Sequence, residues 1–357
     1  MINPKQVQQI FNKWKEENKD FSGVFSLSDE NGVIYEEACG FRNKAEQLSN
    51  QLDTAFAIAS GTKLFTALAI CKLADQGKLS LEDRIRDILP HDLKNIHKDV
   101  TVYHLLTHTS GVGDYLDEEE MEDDDDGLAL FDNHPPHKWL TLDYYLPMIN
   151  ILPPKFTPGE DTSYSNSGFI LLGLVIESIS KQPYQTYVRE QLIEPLGLTR
   201  TGFYPSNALP GNTAIGYCFD EEKEEYVTNT LFIPIIGGSD GGIFTCAGDF
   251  ARLWQGVFAC ELFSKEMLTQ FLTPCKVSVS DSAESSNQSE DDDVFGLGLY
   301  VEEGTDKTFY SSQGWDFGVS FLSLYFPEMK VVATALRNVE IGAYDLMKEL
   351  LTELKLR

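Results

Sequence analysis

TFYSSQGWDFGVSFLSLYFPEMKVVATALRN, residues 308–338, decides the fold. It breaks into TFYSSQ, GVSFLSLYFP and KVVATALRN, runs rich in β-branched and aromatic residues with a turn at Pro327-Glu328. FGLGLYVEE (295–303) precedes them across a turn at Gly304-Thr305, and the four together predict an antiparallel meander. Downstream, GAYDLMKELLTELKL reads as an amphipathic helix. At the other end of the chain, Val7, Ile10, Phe11 and Trp14 recur at helical spacing, and GVFSLSDENGVIYEEACG (23–40) reads as two strands about an Asn31-Gly32 turn. From about 80 to 210 the signals are helices and loops, including SGFILLGLVIESIS (167–180). Strands at both ends with helices between them predict an α+β fold. An antiparallel sheet of about five or more strands is flanked by the N- and C-terminal helices. The expected division is a sheet domain from residues 1–75 and 211–357, with a mostly helical region, 76–210, inserted.

Composition is ordinary for a globular chain of 357 residues: 42% hydrophobic and 24% charged. The formal net charge of −28 argues against nucleic acid and anionic membranes as partners, since both would repel it. Two acidic segments carry 15 of the acids: DEEEMEDDDD (117–126) and SVSDSAESSNQSEDDD (278–293). Like charges this dense do not pack, so mobile loops are expected over 114–138 and 278–293. Neither has the spacing of a calcium loop, and the six scattered cysteines contain no C-x-x-C pair. No metal or cofactor is expected. MINPKQVQQIFNKWKEENKDF lacks the pattern of a secretory leader and no run of 18 apolar residues occurs, so the expectation is a cytoplasmic protein.

IASGTKLFTALAI (58–70) is a hydrophobic helix pattern that opens with Ser60 and Lys63 and closes near Gly77. At this spacing an amine lies one turn from a hydroxyl, on the same face. An amine whose charge is disfavoured by burial and by the positive end of a helix can take the serine proton, and the helix start offers an N–H to a developing oxyanion. The alternative is a helix cap beside a lysine that reaches for solvent. Ser178 and Lys181 repeat the spacing at the tail of a helix, where the dipole has the wrong sign. A second element, Tyr164-Ser165-Asn166, sits just before a hydrophobic helix. Tyrosine can act as general acid or base, and asparagine can hold both a lysine and a substrate amide; a surface turn with a cap at Ser165 or Ser167 is the alternative.

Together these segments resemble the serine β-lactamase and penicillin-binding-protein superfamily, in the branch of class C β-lactamases, D,D-peptidases and related esterases. S-x-x-K is that family's first motif and Y-x-N its second in this branch. VTVYHLLTHTSG (100–111), FTPGEDTSYSNSGFILLGLVIESIS (156–180), EPLGLTRTGFY (194–204) and GGIFTCAGDFARL (241–253) are similar to it in the same order. The resemblance implies a β-lactamase/transpeptidase-like fold. It also implies an acyl-enzyme on Ser60, proton exchange by Lys63 and Tyr164, and orientation by Asn166. His108 would be structural. Arg200-Thr201-Gly202 looks like K-T-G but falls in a connection.

The chain departs from the family at the third motif, K-T-G or H-x-G. The aligned stretch is YSSQGWDFGVSF, in which Ser312 takes the place of the cation, followed by Gln313, Gly314 and Trp315. Ser312 supplies no charge for a substrate carboxylate. Gly314 still permits close approach, and the Trp315 N–H could pair with that of Ser60 as an oxyanion hole. Arg337 is a candidate to replace the lost charge. The resemblance thus implies hydrolysis of an ester or amide, a D-residue peptide among them, with weak β-lactamase activity at most. The competing expectation is an inactive binding or regulatory protein on the same scaffold. The expected ligand is a small molecule or short peptide, with no protein partner indicated.

Overall fold

The computed structural model describes residues 2–18, 21–117, 130, 133–275, 294–303 and 308–356. Helix α1 (Pro4–Glu17) is capped by Asn3, whose side chain accepts from the Lys5 N–H. Strands β1 (Gly23–Asp29) and β2 (Gly32–Cys39) form the hairpin about Asn31-Gly32, with Gly32 at φ 125°. Helices α2 (Thr62–Asp75), α3 (Asn166–Ser180) and α4 (Ala247–Phe258) follow. Four strands then close the sheet: β3 (Tyr300–Glu303), β4 (Thr308–Asp316), β5 (Val319–Phe326) and β6 (Val331–Arg337). Helix α5 (Ala343–Leu354) ends the fold.

The sheet order is β2-β1-β6-β5-β4-β3, antiparallel throughout. Residues from both ends of the chain therefore share one sheet: Gly23 of β1 stands opposite Arg337 of β6. The parity of β5 explains its unbroken apolar run. Leu322, Leu324 and Phe326 face α1 and α5, with Phe11, Phe25, Leu346 and Leu350, while Phe321 and Tyr325 face α2 and α4, with Phe65, Phe250 and Trp254. A strand buried on both faces has no polar side to alternate with. Its buried Ser323 accepts from Trp254 Nε1 and pairs with Thr334.

Two expectations need correction. The strand foreseen from Phe295 begins at Tyr300; Gly298 has φ 72°, and a Cβ there would lie 2.5 Å from that of Ala67, so the chain bends over α2 instead. Asp114, foreseen at the head of a mobile loop, is buried and hydrogen-bonded. Most of that acidic segment, the whole of 278–293 and the Gly304-Thr305 turn lie outside the described residues. Among those described, no helix is long and apolar enough to cross a membrane, and no group of three or more His, Cys, Asp or Glu is placed to hold a metal. All six cysteines are described and none forms a disulfide.

Candidate active site

The turn that carries Ser60 is built from parts far apart in sequence. Ala59 occupies the left-handed region (φ 44°), which is costly for a residue with a Cβ, on the order of 1–3 kcal/mol. Its carbonyl is held by the Thr62 hydroxyl (2.7 Å) and by the Gly242 N–H (3.3 Å). Thr62 Oγ1 in turn accepts from the Ile243 N–H, and the Ile58 N–H donates to Ile243 O. One tight turn, Ala59–Gly61, then runs directly into the buried helix α2. The end of β4 lies against this turn: a Cβ on Gly314 would stand 2.1 Å from Ile58 O and 2.9 Å from the Ser60 nitrogen.

Lys63, 4% exposed, points back toward the turn. Its Nζ donates to Ser60 Oγ (3.0 Å), Asn166 Oδ1 (2.7 Å) and the Asp240 carbonyl (2.8 Å), three acceptors for the three hydrogens of an ammonium. Tyr164 packs beside it, with Nζ 4.8 Å from the ring centroid. The cap foreseen at the head of α3 is Ser165, whose Oγ accepts from the Gly168 N–H. Ser60, Lys63, Tyr164, Ser312 and Gln313 line one narrow recess. On the other side of Ser60 a wider groove opens, enclosing about 1120 Å³ with its mouth and including Asn166 and Trp315 in its walls. The fold thus brings all eight sequence-identified residues to one place: Gly314 abuts the Ser60 turn and the other seven line these two spaces. Serine at 312 leaves that position of β4 buried but uncharged.

Other candidates belong elsewhere. The Arg337 guanidinium lies over Phe21 and Trp14 and donates to the Ile341 carbonyl, so its packing is with the terminal helices rather than the nucleophile. Arg200 donates to the carbonyls of Asp53, Gly211 and Asn212. Ser178 donates to Ile88 O, and Lys181 ends α3 in the left-handed region.

His108 stacks on Tyr164, with ring centroids 4.7 Å apart, and its Nδ1 accepts from the Ser165 N–H. Burial, aided by the Lys63 charge, pushes its pKa down to about 3. It is a neutral support beneath the second motif. In the unfolded chain it titrates near 6.5. Between these values the unfolded state binds the extra proton, so this contribution is complete above about pH 6.5 and is lost as pH falls toward 3. Removing it is worth about 2 kcal/mol between pH 7.5 and pH 5. Asp114 works in the opposite direction, since burial raises its pKa to about 7 and stability from it grows as pH falls. The comparison is therefore with His108→Asn, which keeps an acceptor and suits the left-handed backbone (φ 59°). Urea midpoints at the two pH values should show a drop about 2 kcal/mol larger in the wild type.

Three functional neighbours were not visible in the sequence. Asp114 accepts from the N–H groups of Asn166 (2.8 Å) and Ser167 (2.7 Å), placing a carboxylate at the positive end of α3. Asp240, also buried, accepts from the Tyr115 hydroxyl; burial raises its pKa and the Lys63 charge opposes that. Thr62 is the third. Asp114 follows the HTSG stretch and Asp240 precedes Gly241-Gly242, so a polar residue beside each motif was the available signal.

Chemically, the arrangement offers a hydroxyl in contact with an amine, an aromatic hydroxyl nearby and a glycine-flanked strand at the hydroxyl's backbone. The penicillin binding protein of Bacillus halodurans superposes with a TM-score of 0.86 at 35% identity, covering 97% of this chain and 99% of that one. The octameric penicillin-binding protein homologue of Pyrococcus abyssi follows at 0.81 and 27%, covering 99% and 78%. Penicillin-binding protein 4* of Bacillus subtilis (strain 168) is 26% identical over 94% of this chain and 72% of its own length. The profile of the family described as β-lactamase matches residues 10–351, and with 35% identity across a whole solved relative it places this chain in the β-lactamase family, within the serine hydrolase superfamily.

Proposed function

We propose that the protein is a serine hydrolase that cleaves an ester or amide through an acyl-enzyme on Ser60. The contact of Lys63 Nζ with Ser60 Oγ at 3.0 Å, beside its bonds to Asn166 Oδ1 and the Asp240 carbonyl, carries this reading. Ser60 Oγ attacks the substrate carbonyl. Its proton passes through Lys63 and Tyr164 to the leaving group as the acyl–leaving-group bond breaks. Lys63 takes the Ser60 proton as the neutral amine; Tyr164, packed on it, hands its own hydroxyl proton to the leaving group as it receives one from Lys63. Water then hydrolyses the acyl-enzyme with the same groups in reverse. The N–H groups of Ser60 and Trp315 serve as the oxyanion hole, with Gly314 allowing the strand to approach.

The relatives named penicillin-binding proteins favour a β-lactam as substrate, and the resemblance of the motifs adds a D-residue peptide. Ser312 favours a substrate without a carboxylate to be gripped, which argues for weak penicillin turnover at most. With purified protein, kcat/KM for p-nitrophenyl butyrate should exceed that for benzylpenicillin at least tenfold. Faster turnover of penicillin would overturn the ester preference. Intact mass after fluorophosphonate treatment tests the nucleophile itself: one adduct is expected. Its absence from folded protein would move the chain to the binding-protein reading, which Ser312 motivates.

A further inference from the structure

We infer that the groove in front of Ser60 selects acyl groups that carry a positively charged amine, held by Asp240 and Asp316. This rests on the acyl-enzyme reading and adds the charge of the substrate to it.

The argument begins with what lines the groove. Among the described residues its charged lining groups are two carboxylates, Asp240 and Asp316, with no lysine, arginine or histidine. Asp316 ends β4, next to Trp315, and so stands beside the expected position of the scissile carbonyl. Asp240 lies on the opposite loop; its Oδ2 accepts from Tyr115, and its own N–H and that of Gly241 also reach the carboxylate. Tyr145 lines the same groove as both acids. Tyr115, Trp139 and Tyr145 meet edge to face there, at centroid distances of 5.0–5.9 Å. Aromatic faces and carboxylates together attract ammonium groups and repel carboxylates, and a half-closed groove of low dielectric strengthens both effects. The cation nearest the reaction, Lys63, lines the narrow recess instead and already donates to three oxygens. Ser312 removes the cation that the third motif would supply from β4. A net charge of −28 acts in the same direction at long range. The charge preference is thus opposite to that of a site built to grip a carboxylate.

The reaction balances as ordinary acyl transfer. The Ser60 Oγ–carbonyl bond forms, the carbonyl–nitrogen bond of an anilide breaks, and the serine proton leaves with the aniline. Water then frees the amino acid.

The test uses one acyl group in three charge states: the p-nitroanilides of alanine (both enantiomers), N-acetylalanine and N-succinylalanine. At pH 6.5 the free amine is protonated, its pKa being about 8. There kcat/KM for the preferred alanine enantiomer should exceed the acetylated compound at least tenfold, with the succinylated one lowest. At pH 9 the advantage should shrink to a few-fold. Asp316→Asn and Asp240→Asn should each lower the amine-to-acetyl ratio about fivefold or more within the same variant. Equal rates across the three compounds, or a lead for the succinylated one, in protein that still forms the fluorophosphonate adduct would overturn the inference and leave the hydrolase reading intact. Should the wild type form no adduct, calorimetric binding of alaninamide against N-acetylalaninamide decides the charge preference alone, with equal affinities counting against it. If either variant fails to fold, the order and pH dependence in the wild type decide.

Discussion

Ser60→Ala is expected to lose the fluorophosphonate adduct completely and to lower kcat/KM on p-nitrophenyl butyrate at least 10³-fold. A nucleophile is not replaced by its neighbours: Ser60 Oγ lies 3.0 Å from Lys63 Nζ in a turn pinned by Thr62 and Gly242. The variant should fold: Ser60 is half-buried, and its loss costs one hydrogen bond, about 1 kcal/mol. The thermal midpoint therefore separates chemistry from folding. A wild-type midpoint with no adduct assigns the nucleophile. An adduct that persists in the variant would mean that labelling occurs elsewhere and would remove the main support for the acyl-enzyme reading.

Gly314→Ala should be nearly as damaging to activity, for a different reason. The added methyl would meet Ile58 O at 2.1 Å and the nitrogens of Ser60 and Gly61 at 2.9 Å. All three are backbone atoms, so no side chain can swing aside. The strand and the nucleophile turn must separate by about 1 Å, and a displacement of that size costs a reacting geometry about 10²-fold in rate. Overpacking adds a stability loss of about 1–3 kcal/mol. Gly248→Ala is the control, since a Cβ there meets nothing within 4 Å. Activity of Gly314→Ala within twofold of wild type would show that β4 is not part of the reacting geometry.

Much of the fold could be read from local pattern. The hairpin at Asn31-Gly32, the meander from β4 to β6, and the terminal helices each follow from periodicity and turn chemistry over a dozen residues or so. Ser60, Lys63, Tyr164 and Asn166 were legible as helix starts from local pattern, and as a candidate site only through the family resemblance of the two motifs together. The remainder depends on contacts that have no local signature. Asp114 looks like one more acid beside an acidic run until the head of α3 is folded onto it. Asp240 acts on Lys63 through a backbone carbonyl, which any residue type could provide. Arg337 sits at a strand end level with the site, and only the packing of Trp14 and Phe21 shows where its side chain turns. Phe295–Leu299 has a strand composition, yet the left-handed Gly298 overrides it.

The pairing of β1 with β6 joins Gly23 to Arg337. During synthesis, β1 emerges with only β2 as a neighbour and waits for more than 300 residues before its second edge is covered. Contacts this distant along the chain close slowly, because a long loop must be ordered before they form. Over that interval the apolar β1 is an open template for strand addition from another nascent chain. The sheet can be completed only after β6 has left the ribosome. Exposure of the hairpin during translation is thus a route to aggregation that the stability of the finished fold does not report.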